Sequence, residues 1–197
     1  MSKELIIRVQ ETDIDIALLE NSHLVELITN KTNLPQFAVG DIYLAKVKKV
    51  LSGLNAVFVD LGYEKDAFLH YHDLGPQFSS LSHLIKDVVA AKPIKSFDKL
   101  QRLNDIDKNG NIVDIIEAGH HILVQIAKEP ISTKGPRLSS EISIAGRNVV
   151  LMPFSDKISI SQKIESQEEK NRLKKIVRSV TPSNYGVIVR TAAAGHD

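Results

Sequence analysis

The chain has 197 residues, 25 basic against 24 acidic side chains, 43% hydrophobic content and no cysteine. That composition suits a globular fold with one good core and smaller attachments, and it excludes a disulfide scaffold or a thiolate metal site within this chain. No apolar run approaches the ~20 residues that a spanning helix needs, and the acidic residues inside the opening stretch MSKELIIRVQETDIDIALL argue against a secretory leader. The near-neutral total hides an asymmetry: residues 1–37 carry a net −3, residues 38–142 a net 0 and residues 143–197 a net +4. The basic last part points mildly to an anionic partner.

In chain order, ELIIRVQ, DIDIALLEN and HLVELIT read as two or three short antiparallel strands, too few to bury a core alone. The polar stretch Asn30–Gln36, with Pro35, reads as a boundary. From Gly40 the pattern is strand (IYLAKVKKVL), turn, strand (NAVFVDL), turn, strand (DAFLHYH). A long irregular insertion near 75–112 follows, with short helical stretches at best. HHILVQIAKE and RLSSEISIAG then read as two more strands, separated by the loop EPISTKGP. Five short antiparallel strands interrupted by one insertion fit an OB-type barrel, so the expected class is mainly β (α+β) with small β and αβ pieces on either side. After it come a strand (RNVVLMP), a strand-like ISISQKIES, an amphipathic helix with Leu173, Ile176 and Val180 on one stripe, and a final strand GVIVRTAAAG.

Side chains alternate faces along a strand. Val57, Val59 and Leu61 therefore share one face, and Ala56, Phe58 and Asp60 the other; Phe68 likewise lies with Asp66 and His70, opposite Ala67 and Leu69. Both phenylalanines fall on the face that carries charge. Either the insertion folds over and buries them, or they form a platform on which unpaired bases stack. Lys46, Lys48 and Lys65 would add phosphate attraction without sequence preference. Asp105 and Asp107 in NDIDKNG lack the spacing and closing glutamate of a calcium loop. His70, His72 and Asp73 offer no evident further metal ligand, and His120 and His121 face opposite ways. The reading is therefore of no metal site and no catalytic residue in this chain.

The stretch GDIYLAKVKKVLSGLNAVFVDLGYEKDAFLHYHDL resembles the start of an S1 domain, the OB-fold RNA-binding module, in the form found in the ribonuclease E/G family of endoribonucleases. MSKELII, NIVDIIEAGHHILVQIAKE, KGPRLSSEISIAGRNVVLMP and GVIVRTAAAG match the same family in the same order, so the resemblance covers essentially the whole chain. It implies that residues 1–37 are the first strands of a split RNase H-like subdomain, residues 38–142 an S1-type domain, and residues 143–197 a segment that senses the RNA 5′ end, possibly incomplete. By the same match Phe58 and Phe68 would stack on RNA and Lys134 would contact its backbone. Arg190 and Thr191 would grip a 5′-monophosphate, while Gly146 and Val150 would hold the terminal nucleotide. A guanidinium fork and a hydroxyl suit a phosphate. One departure stands out: Gln162 and Lys163 occupy the place of an arginine pair in many relatives.

The implied parent is a cytoplasmic, magnesium-dependent endoribonuclease that cleaves single-stranded RNA in RNA decay and ribosomal RNA maturation. Its metal-holding carboxylates and paired-cysteine zinc link lie in a later nuclease subdomain. The expectation is that this chain binds single-stranded RNA, preferably 5′-monophosphorylated, works with the remainder of the nuclease, needs no cofactor of its own and does not cleave RNA alone. The alternative from another class is a stand-alone RNA-binding adaptor.

Overall fold

The computed structural model describes residues 2–10, 13–31, 37–93 and 102–196. Most of the expected boundary at Asn30–Gln36 lies outside them. The chain divides into two compact units, Met1–Ala38 and Val39–Asp197.

The first unit is an antiparallel sheet of β1 (Lys3–Val9), β2 (Asp13–Glu20) and β3 (His23–Lys31). β2 turns into β3 through Asn21 and Ser22, at φ 47° and 65°. A two-residue hairpin matching the strand twist needs two such positive values, and asparagine tolerates them best. The register puts Leu5, Ile7 and Val9 opposite Leu18, Ile16 and Ile14, and Ile16 opposite Ile28, so one face is apolar. It is not buried: Leu5 is 61% exposed and Val9 71%. Among the described residues of this unit nothing covers either face.

The second unit contains the expected five-stranded barrel, built from β4 (Ile42–Leu51), β5 (Ala56–Asp60), β6 (Ala67–His70), β7 (His121–Lys128) and β8 (Arg137–Ser139) and closed in the order β4-β5-β6-β8-β7. The expectation that every strand pair is antiparallel is corrected at one contact. A ring of five cannot alternate direction all the way round, and the one parallel contact falls between β6 and β8, where Phe68 pairs with Arg137. The core follows the alternation: Val57, Val59, Ala67 and Leu69 are fully buried, with Val47, Val124, Ile126 and Leu138.

The stretch after β6 is not wholly irregular. It contains a three-turn helix, α1 (Phe78–Val89), whose Phe78, Leu81 and Ile85 are buried at helical spacing. Leu81 and Ile85 pack with Ile142 and Phe154. The later end of this stretch is fastened to the barrel. Asn55, in the left-handed conformation at φ 47°, donates from Nδ2 to the Gly110 carbonyl at 3.0 Å, and its Oδ1 accepts from Ile112 N at 2.6 Å. Buried Tyr71 donates its hydroxyl to the Asp107 carbonyl, and burial raises its pKa.

The expected single strand at Arg137–Gly146 is broken in two. β8 ends at Ser139, whose hydroxyl accepts from Glu141 N at 3.0 Å, and Ser140 donates to the Leu74 carbonyl. β9 (Ile144–Ala145) instead joins a second sheet with β10 (Val149–Pro153), β11 (Ile158–Ile160) and β12 (Tyr185–Val189), in the order β11-β12-β10-β9. β11 and β12 run parallel and are connected by α2 (Gln167–Val180). Leu173 and Val177 bury the helix against Val187 and Val189. This corrects the expected stripe: Ile176 is 38% exposed and Val180 71%. None of the described helices is long and apolar enough to cross a membrane.

Candidate RNA-binding face and 5′-end site

Two places gather the residues singled out in the sequence. The first lies on the outside of the barrel. Phe58 and Phe68 are direct partners across β5 and β6, with ring centroids 6.2 Å apart at 67°, an edge-to-face pair. Both are half-buried, so the described residues after β6 do not close over them fully. The row continues on each side: Lys49 of β4 stands opposite Phe58, and Arg137 of β8 opposite Phe68. Opposite residues share a face, so the order across four strands is cation, ring, ring, cation.

The lysine in this row is Lys49 because β4 is bulged between Val47 and Lys49. Lys48 is instead tied to Asp66 at 2.7 Å, and this hydrogen-bonded ion pair raises its pKa. Lys65 donates to the Ser132 carbonyl at 2.7 Å, while Lys46 is exposed opposite Asp60. Arg137 grips Asp73 through Nε and Nη2 at 2.9–3.2 Å, which fixes its guanidinium. The rings continue with His70 at the end of β6, 6.5 Å from Phe68, and His72 in the 3₁₀ turn that follows, 5.0 Å from His70.

Lys134 is exposed at the end of a tight turn in which Ile131 and Lys134 exchange backbone hydrogen bonds at 3.0 and 3.1 Å. The turn is held close to the start of β6. A Cβ on Gly135 would lie 2.2 Å from the Asp66 carbonyl oxygen, and Phe68 N donates to the Pro136 carbonyl at 2.9 Å. Glycine at 135 is therefore what lets this lysine-bearing loop approach the aromatic pair.

The second place is one end of the β11-β12-β10-β9 sheet. Val149 pairs with Val189, so the turn that precedes β10 meets the end of β12. Gly146 N donates to the Val149 carbonyl at 2.8 Å, and Arg190 N to the Asn148 carbonyl at 2.8 Å. Arg190 Nη1 then donates to the Gly146 carbonyl at 2.7 Å. Among the described residues this is the hydrogen-bond partner of its side chain, and the residue is exposed. Thr191 is exposed and opens a single 3₁₀ turn, Thr191–Ala193, closed by Ala194 N donating to the Thr191 carbonyl at 3.1 Å. Val150 is half-buried between Ala145 and Ile188.

Ile160 pairs in parallel with Val189, so Gln162 and Lys163 leave β11 at this same end. Arg147, in the β9–β10 turn, is exposed here too. Arg147, Lys163 and Arg190 thus make the end cationic. Asn148 Oδ1 is buried without a hydrogen-bond partner among the described residues. Below, α2 is capped: the Ser166 hydroxyl accepts from Glu169 N at 3.2 Å. The Glu169 carboxylate accepts from Arg172 twice at 2.8 Å and from Gly195 N at 2.9 Å, and these bonds hold its pKa down at about 2.

The acidic and histidine motifs have local structural roles. Asp107 Oδ1 accepts from Asn109 N at 3.0 Å, and Asp105 pairs with Arg102 at 3.4 Å. His70 Nδ1 accepts from His72 N at 3.1 Å. Among the described residues no group of three or more His, Cys, Asp or Glu is arranged to hold a metal ion.

Comparison with known proteins points to one family. Residues 143–197 match the model of the ribonuclease E/G family. Ribonuclease G of Escherichia coli (strain K12) is 34% identical over 195 residues, 99% of this chain and 36% of its own length. Ribonuclease E of Nostoc sp. is 37% identical over 158 residues, 80% of this chain and 19% of its own. A ribonuclease E/G-like protein of Porphyra purpurea is 39% identical over 162 residues, 82% of this chain and 27% of its own. The chain spans about a third of the length of the ribonuclease G sequences it matches.

Proposed function

The chain belongs to the ribonuclease E/G family, and from that premise we propose that it is the portion of an endoribonuclease that captures single-stranded RNA and reads its 5′ end. The observation that carries the reading is the row Lys49–Phe58–Phe68–Arg137 on the open face of the barrel. Two rings offer π-faces to unpaired bases, and Lys49 offers charge to the phosphates between them, while the charge of Arg137 is shared with Asp73. Lys134 approaches the same rings from the 131–135 turn.

The 5′-end reading draws on the cationic sheet end. A terminal monophosphate carries more charge than an internal phosphodiester. Arg190, held from behind by the Gly146 carbonyl, would present its remaining donors as a fork, with the Thr191 hydroxyl beside it. Lys163 and Arg147 supply charge near the place where Gln162 removes it. Val150 would meet the terminal base. Cleavage in the parent would be magnesium-assisted hydrolysis by carboxylates that the resemblance implies elsewhere, and the part proposed for these residues is the binding of RNA. The RNA classes it meets would be those of RNA decay and ribosomal RNA maturation, in the cytoplasm.

Fluorescence anisotropy of short single-stranded RNAs with 5′-monophosphate or 5′-hydroxyl ends tests both halves. At fixed salt, Phe58→Ala should weaken both RNAs about 5- to 150-fold, the value of one stacked base. Arg190→Ala should weaken the monophosphate alone. Equal affinity of the wild-type chain for both ends would overturn the 5′-end reading, and unchanged binding by Phe58→Ala would overturn the platform. Magnesium-dependent cleavage of these RNAs by the purified chain would overturn the assignment of hydrolysis to residues elsewhere.

A further inference from the structure

We infer that Gln125 is a positioning residue for 5′-end recognition: its buried side-chain amide fixes where the chain leaves the barrel and enters β9, and thereby where the Gly146 carbonyl holds Arg190. The inference rests on the 5′-end reading above.

Gln125 lies in β7, between Ile42 of β4 and Ser139 of β8. Its neighbours Val124 and Ile126 point into the barrel, so Gln125 points out, yet it is only 8% exposed. All the bonding capacity of its amide is used. Nε2 donates to the Gly40 carbonyl at 2.9 Å and to the Ser143 carbonyl at 2.8 Å. Oε1 accepts from Ser143 N at 2.9 Å and from the Ser143 hydroxyl at 3.2 Å. The paired bonds to Ser143 N and O imitate a strand partner, with a side-chain amide in place of a peptide. Glutamate has no donor for the two carbonyls, lysine no acceptor for the two donors, and leucine neither.

The chain beyond Ser143 needs such a clamp. β9 is two residues long and pairs with β10 alone. Ile144 is 52% exposed, and a groove of about 690 Å³, lined by Ile42, Gln125 and Ile144 among others, opens beside it. Ile142 anchors the chain before Ser143 against Leu81, Ile85 and Phe154, but beyond Ser143 apolar packing does little to place β9, and hydrogen bonds carry the task. Three residues beyond Ser143 is Gly146, whose carbonyl receives Arg190 Nη1 at 2.7 Å. A small displacement of Ser143 would move that carbonyl and turn the guanidinium away from a phosphate, to which two-point contact is sensitive.

The test measures RNA discrimination and hydrogen exchange on the same proteins: the wild-type chain, Gln125→Leu and, in case the leucine variant does not fold, Gln125→Glu, which keeps an acceptor for Ser143. We expect the preference for 5′-monophosphate over 5′-hydroxyl RNA to fall at least about fivefold, with 5′-hydroxyl affinity within about twofold of wild type. The Ser143 and Gly146 amides should exchange faster, while Val47 and Val59 in the barrel keep their protection. A merely structural role would lower both affinities together and loosen the barrel amides, and that result would overturn the inference. So would unchanged exchange at Ser143 and Gly146, whatever the RNA result. If the wild-type chain shows no end preference, the 5′-end reading fails and takes the functional role of Gln125 with it, while the exchange data still decide the clamp.

Discussion

The barrel and the N-terminal sheet are written in the same strand alphabet and end differently. In β5 and β6 the inward residues Val57, Val59 and Leu69 have no exposure at all, whereas in β1 the equally apolar Leu5, Ile7 and Val9 are all more than half exposed. Alternation of residue types makes a strand in both places. Burial depends on closure. Five strands, α1 and the fastened 102–116 segment give the barrel a complete interior, while three strands alone have an apolar face and nothing within their own unit to place on it.

The comparison is broken or upheld most sharply by truncating one apolar residue in each place. Leu69→Ala removes a fully buried side chain from the barrel and should destabilise its unfolding transition by about 2–5 kcal/mol in urea or thermal melts. Ile7→Ser, on the exposed face of β1, should change that transition by no more than about 0.5 kcal/mol. A large effect from Ile7→Ser would mean that the sheet is covered in solution, and comparable effects from both variants would dissolve the contrast.

A smaller effect is expected where the chain after β6 seals the barrel. A Cβ on Gly110 would lie 2.2 Å from the Tyr71 hydroxyl oxygen, and Tyr71 cannot swing aside, being 2% exposed and bonded to the Asp107 carbonyl. Gly110→Ala should therefore cost about 1–3 kcal/mol, the range for overpacking. The companion Gly110→Ala/Tyr71→Phe should recover only part of that loss, because the oxygen at 2.2 Å is gone while the ring Cζ at 2.9 Å remains. No recovery in a double-mutant cycle would place the strain elsewhere.

Much of this was legible in the sequence, for reasons local to each element. Phe58 and Phe68 could be assigned to the outer face because alternation needs only their immediate neighbours. Lys49 could not be preferred to Lys48, because the bulge in β4 shifts the register and leaves no mark in composition. Arg137 reaches Phe68 across a separation of 69 residues, through the one parallel contact that closing an odd-numbered ring demands. Helix α1 carried a visible signal in Phe78, Leu81 and Ile85, but the serines around them favour turns over helix, and the segment read as irregular. The break after Ser139 depends on hydroxyl bonds from Ser139 and Ser140 to backbone far away or just ahead, which strand periodicity does not register. At the proposed 5′-end site, only the resemblance joined Gly146 to Arg190. The contact itself and the Gln125 clamp are products of tertiary structure.

The smallest expected effect lies under the sheet end and depends on pH. Glu169 joins the first turn of α2 to Arg172 and to Gly195 N, beyond the Thr191 turn. Its carboxyl titrates at about 2 in the folded chain against an ordinary 4.5, because those hydrogen bonds favour the ionised form. A folded-state value below the unfolded one means that the contribution to stability is complete above about pH 4.5 and fades as pH falls toward 2. The group is open to solvent, so the effect is modest and weakens further in salt. An NMR titration should show the Gly195 amide and the Glu169 carboxyl moving together with a midpoint near 2, and Glu169→Gln should abolish the movement of the amide. A Glu169 midpoint near 4.5 would show that the tie between α2 and the chain after Arg190 is not formed in solution. The barrel, whose core contains no carboxylate among the described residues, should show no matching transition at Val57 or Leu69 over the same window.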